Sequence, residues 1–213
     1  MKYQMQNFID TMGELCEFSF LDGPLKEVEE QPIKFFVDRG VEAPFKRWVI
    51  NKYKAWSFDV KITKAQTNYE HFTETIDYIV DYMNRQEEPF DGYAGFSQGF
   101  YSIQAVLQAK RHFPKQISLR HRLPFFCIDF NGLLPQWLTY ELFDARFINS
   151  EVFIPNCASL HFVSENDPMS PVGKNFRNYE KPIIVHHTQG HRPVKNLPEK
   201  ELHQAADFVA RQF

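Results

Sequence analysis

The stretch "FDGYAGFSQGFYS", residues 90–102, decides how this chain is read. An aromatic, strand-like segment runs into a serine held between glycines, Gly95-Phe96-Ser97-Gln98-Gly99, and then into "FYSIQAVLQAKRHF", which reads as a helix up to Pro114. A sharp strand-to-helix turn forces its middle residue into a strained backbone conformation, and flanking glycines let the chain pass close to itself. Ser97 is therefore expected at the top of a sheet. The start of the next helix offers amide donors and a partly positive dipole end, so the N–H of Gln98 is the natural first donor to an oxyanion. By composition alone a GxSxG pattern arises in roughly 7% of chains this long, so its surroundings must decide.

Those surroundings alternate strand-like and helix-like segments. "CEFSFLD" (16–22) has strand character and stops at a "DGP" turn. From Thr67 the positions Tyr69, Phe72, Ile76, Ile79, Val80 and Met83 follow helical spacing up to "NRQEEP". "PFFCIDFNGLLP" reads as a buried strand and loop, "SLHFVSENDPMSP" as a strand and acidic loop, and "KPIIVHHTQGH" as a strand and histidine loop. "PEKELHQAADFVARQF" closes the chain as a helix with Leu202, Ala205, Ala206 and Val209 on one face. Such an order predicts an α/β fold: a mostly parallel central sheet in a three-layer sandwich, with ligands gathered at the carboxyl ends of the strands. Residues 24–65, with "EEQP" and the aromatic "PFKRWVINKYKAWSF", are expected as irregular structure or a cap over the site.

Composition excludes several classes. The 213 residues suffice for one sizeable core, so a single domain over 1–213 is expected. A formal charge of −3 gives no field to gather nucleic acid. The longest apolar runs, such as "LPFFCIDF" (123–130), fall short of the roughly 20 residues that cross a bilayer. The N-terminus lacks the features of a secretory signal, and Cys16, Cys127 and Cys157 form no CxxC pair, which points to the reducing cytoplasm. Twenty-two phenylalanines spread along the chain predict a bulky aromatic core and an apolar pocket.

The acidic loop offers Glu165 and Asp167; Pro168 fixes the turn after Asp167, so that carboxylate can be held in one direction. His186 and His187 end a strand, whereas His191 follows Gly190 in a loop that can swing over the sheet to meet Ser97, which makes His191 the expected base. The order Ser, Asp, His, each just beyond a strand, is that of the α/β-hydrolases. His187 and His191 also have metal-pair spacing, but that geometry needs a helix and Gly190 argues for a loop, so no metal is expected. His71, His112, His121, His161 and His203 read as surface or packing residues.

On "FLDGP", "FDGYAGFSQG", "FNGLLP", "LHFVSENDP" and "HTQGHRPV", spread over 18–194, the chain resembles the FSH family of serine hydrolases, which includes the ovarian-cancer-associated protein 2-like esterases. The resemblance favours Asp167 over Glu165. It implies a compact α/β-hydrolase without a large lid domain, and a Ser97–Asp167–His191 triad, with no cofactor, cleaving small-molecule acyl esters or thioesters.

The chain departs from the family pattern in two places. Phe100 stands where a small residue usually follows the serine turn, and is expected to reshape the pocket behind it. Family members also open with an apolar strand and an HG-containing loop that gives the second oxyanion N–H, whereas "MKYQMQNF" falls in what would be the first helix. The alternation of Tyr3, Met5 and Asn7 is too weak for a replacement strand. Loss of one such donor costs roughly 100- to 1000-fold in turnover, and either another segment or a protein partner fills the place beside the nucleophile strand or the sheet is rearranged. The alternative to an esterase is therefore a catalytically impaired hydrolase fold serving as a structural or binding subunit of a larger assembly.

Overall fold

The computed structural model describes residues 5–26, 72–112, 117–132, 156–167, 179–191 and 197–213, with short pieces at 34, 37–38, 46–48, 50–51, 69–70, 114–115, 154 and 176. Its centre is a parallel sheet of four strands in the order β5 (Gly92–Phe96), β6 (Phe126–Phe130), β7 (Ala158–Ser164) and β8 (Ile183–His187). β6 is buried along its whole length, as a strand covered on both faces requires. The register sets Phe96, Phe130, Phe162 and Val185 in one row and Gly95, Asp129, His161 and Ile184 in the row before it.

Alternation along these strands sorts the side chains into two faces. Phe126, Ile128, Phe130, Leu160, Phe162 and Val185 pack against α1 (Gln6–Met12) and the final helix α4 (Glu199–Ala210). Phe130 stacks on Phe162 with ring centroids 5.0 Å apart, and Phe8 of α1 meets Phe130 edge-on at 5.3 Å. On the other face Tyr93 and Cys127 meet Phe100 and Leu107 of α3 (Gln98–His112). A further helix, α2 (Phe72–Arg85), lies on α3 through Ile76, Ile79, Val80 and Met83, whose spacing makes one apolar stripe. Helices thus flank the sheet on both faces, the expected three layers, with the bulky aromatic core on the α1 and α4 side.

Local expectations fail in two places. Residues 16–22 form no strand: the chain leaves α1 through the Cys16 N–H to Met12 carbonyl bond and continues irregularly, with Phe18 edge-on to Phe8 at 6.2 Å and stacked on Phe20. Alternating aromatics here serve packing onto a core, without a ladder. The helix expected from Thr67 starts at Phe72, because β4 (Tyr69–Glu70) pairs antiparallel with β3 (Ile50–Asn51). A second two-residue pair joins β1 (Leu25–Lys26) to β2 (Lys46–Arg47). The rest of the expected cap over 24–65 lies largely outside the described residues. Among the described residues, no helix is long and apolar enough to cross a membrane.

Candidate active site

The carboxyl ends of β5, β7 and β8 carry Ser97, Asp167 and His191. Ser97 has φ +50°, a left-handed conformation that costs a non-glycine residue of order 1–3 kcal/mol and persists where the surroundings over-determine it. Here they do: the Ser97 N–H reaches the Phe130 carbonyl at 3.4 Å, and the Ser97 carbonyl accepts the Tyr101 N–H at 3.3 Å. Gly95 explains the tightness of the turn. A Cβ there would stand 2.6 Å from Phe100 Cα and 2.7 Å from Phe100 N, a distance no side chain tolerates. Phe100 itself points into the core, fully buried and stacked on Tyr93 at 5.4 Å, so its bulk is absorbed beneath the turn.

Ser97 Oγ lies 3.0 Å from His191 Nε2, and His191 Nδ1 lies 2.7 Å from Asp167 Oδ2. The Asp167 side chain is 5% exposed and that of His191 25%, so the acid is sealed below and the imidazole opens to solvent. With a carboxylate at Nδ1 the ring proton sits on that nitrogen, which leaves the Nε2 lone pair facing the serine. The ring rests on Phe96 at 4.9 Å. The N–H of Gln98 belongs to the first turn of α3, whose amides have no intrahelical acceptor, and the dipole of that 15-residue helix favours negative charge at this end.

The remaining candidates stand apart. Glu165 is largely exposed, 3.8 Å from His186, which is also exposed. His187 turns inward, its Nε2 3.2 Å from Asn131 Nδ2; burial, its largest influence, pushes its pKa below the ordinary value, against a smaller upward pull from Asp167. Among the described residues, no group of three or more His, Cys, Asp or Glu could hold a metal.

Three features have no counterpart in the sequence expectations. Asn131, with φ +50°, joins the loops of Asp167 and His191, and its Asn-Gly pair after an apolar strand is the turn signal that marks the position. Asp129 and His161 form a second, wholly internal pair, with His161 Nδ1 2.9 Å from Asp129 Oδ2. Trp48 approaches Gly99 with its indole nitrogen, and its carbonyl accepts a bond from the Thr75 hydroxyl.

A family model described as serine hydrolase (FSH1) matches residues 1–203. The chain belongs to this family. Among solved structures this chain is similar to YahD with malic acid, at 12% identity and a TM-score of 0.58 over 99% of this chain and 87% of that one, a likeness of fold. It also matches a Bacillus cereus carboxylesterase (11% identity, TM-score 0.49, 100% of this chain and 83% of that one). A Zea mays acyl-protein thioesterase 2 matches at 10% identity and a TM-score of 0.47, over 79% and 73%. No curated protein matches this chain.

Proposed function

We propose that the protein cleaves carboxylic esters or thioesters through an acyl-enzyme, with Ser97 as nucleophile, His191 as general base and then acid, and Asp167 orienting His191. The observation that carries this reading is the unbroken line Ser97 Oγ to His191 Nε2 (3.0 Å) and His191 Nδ1 to Asp167 Oδ2 (2.7 Å), set at the start of α3. Ser97 Oγ bonds to the acyl carbonyl carbon as its proton passes to Nε2. Negative charge that develops on the carbonyl oxygen is met by the Gln98 N–H and the helix dipole. The bond to the leaving oxygen or sulfur then breaks, and the alcohol or thiol departs with the proton from Nε2. Water repeats the sequence on the acyl-enzyme, releasing the acid and restoring Ser97.

Three free thiols suit a reducing compartment such as the cytoplasm. The second reading, an impaired hydrolase acting in an assembly, is favoured by one observation: among the described residues β5 pairs with β6 and forms the edge of the sheet.

The two readings part in one experiment. Intact mass after treatment with a fluorophosphonate is expected to show one adduct, absent from Ser97→Ala, and p-nitrophenyl butyrate hydrolysis is expected to be lost with it. Full ester cleavage by Ser97→Ala would refute the mechanism. A folded wild-type protein that takes no adduct and co-purifies with a stoichiometric partner would establish the assembly role.

A further inference from the structure

Asp167 and His191 come from loops of different strands, so something must fix the distance between those loops. The Ser164 backbone and hydroxyl meet both: its carbonyl accepts the Asp167 N–H at 3.2 Å, and its Oγ accepts the Gly190 N–H at 3.0 Å. Asn131, 7% exposed at the end of β6, closes the arrangement. Its Oδ1 accepts the Ser164 N–H at 3.1 Å, while its Nδ2 lies 3.4 Å from the Gly190 carbonyl and 3.2 Å from His187 Nε2. The Ser164 N–H can only meet an acceptor and the Gly190 carbonyl only a donor, so the amide has a single orientation. Gly190, with φ +71°, immediately precedes His191. Asn131 is itself anchored, through its N–H to the Phe162 carbonyl at 3.1 Å, and the preceding carbonyl, that of Phe130, receives the Ser97 N–H.

We propose that Asn131 is a positioning residue for hydrolysis: one side-chain amide couples the acid loop to the base loop and thereby sets the reach of His191 to Ser97. The inference rests on the reading of Ser97, Asp167 and His191 given above. Asn131 acts through other groups, the Ser164 N–H and the Gly190 carbonyl that belong to the acid and base loops. Its left-handed backbone is equally open to glycine, so Asn131→Gly removes the amide while leaving the turn unstrained. Asn131→Asp keeps the acceptor for Ser164 and the volume, but sets an oxygen against the Gly190 carbonyl.

The test measures fluorophosphonate labelling rate, kcat and KM on p-nitrophenyl butyrate, and thermal melting, for wild type, Asn131→Gly, Asn131→Asp and Ser97→Ala. A misplacement near 1 Å in a catalytic array costs about 100-fold. Both Asn131 variants are therefore expected to melt cooperatively, to label and turn over roughly 100-fold more slowly, and to keep KM near the wild-type value. Labelling and kcat near wild type in Asn131→Gly would overturn the inference, and so would a raised KM with unchanged kcat, which would make Asn131 a binding residue. If Asn131→Gly fails to fold, the near-isosteric Asn131→Asp carries the same criteria. Labelling that survives in Ser97→Ala instead refutes the underlying hydrolase reading, whatever the Asn131 variants do.

Discussion

Gly95→Ala tests whether the serine turn is as tightly packed as its geometry requires. The added methyl would stand 2.6 Å from Phe100 Cα, 2.7 Å from Phe100 N and 3.0 Å from Phe100 Cβ. Carbon atoms rest at about 3.5–4.0 Å, so β5 and the start of α3 must separate by about 1 Å. Phe100 has no room to retreat, being fully buried and stacked on Tyr93. Overpacking of this kind costs about 1–3 kcal/mol, and at about 2–4 °C per kcal/mol for a chain of this size the melting temperature should fall by roughly 2–12 °C. Because the displaced backbone carries Ser97, the 3.0 Å contact to His191 should open as well, with a fluorophosphonate labelling rate about 100-fold lower. Gly99→Ala is the control: among the described residues the nearest atoms to its methyl all belong to the Trp48 side chain, with Nε1 at 3.1 Å and the next at 3.7 Å, so a shift of a few tenths of an ångström suffices and the losses should be much smaller. Wild-type melting and labelling in Gly95→Ala would refute the reasoning.

Three further outcomes are expected. Asp167→Asn should lower kcat on p-nitrophenyl butyrate by about 10⁴-fold, because the amide favours the wrong imidazole tautomer, and steady-state kinetics beside a melting curve checks it. His187, whose pKa burial lowers, binds protons more weakly folded than unfolded, so stability should rise with pH between its lowered value and the ordinary value near 6.5, and fall as the medium is acidified through that window. Chemical denaturation at several pH values should show that slope in the wild type and a shallower one in His187→Gln. Burial, with the neighbouring Cys157 adding to it, raises the Cys127 thiol well above its ordinary pKa. Iodoacetamide at pH 8 should therefore spare Cys127 until urea unfolds the chain, as peptide mass analysis would show.

Legibility in the sequence followed the range of the forces. The four central strands could be read because each is a short apolar run bounded by turn signals, and α2 because Ile76, Ile79, Val80 and Met83 repeat with the helical period. The Gly95-Phe96-Ser97-Gln98-Gly99 turn was legible because its demand on backbone space is local. The failures were cases where a distant contact overrode a local preference. Residues 16–22 have strand-like alternation, yet Phe18 is drawn to Phe8 of α1. The start of α2 was displaced by the pairing of Tyr69–Glu70 with Ile50–Asn51, which no window around Thr67 contains. Asn131 could be marked as a turn residue, but its bonds to Ser164 and Gly190 span 33 and 59 residues, beyond any local pattern.

The fold also shows why an acid beside a histidine is not by itself a site. Asp129 and His161 face one another across adjacent strands at 2.9 Å, much as Asp167 and His191 do at 2.7 Å. The difference is position along the strand. Asp129 and His161 lie one row before the last that all four strands share, where the sheet is covered, and His161 is fully buried against Phe100, Phe176 and Tyr179. Its Nε2 has no hydrogen-bond partner among the described residues. What the pair does hold is the chain beyond β6, since Asp129 Oδ1 accepts the Gly132 N–H at 2.6 Å. That bond spans Asn131, so the internal pair fixes the backbone of the residue whose amide spaces the two outer loops. In a parallel sheet chemistry is confined to the carboxyl edge, and here the row beneath that edge gives it a rigid base.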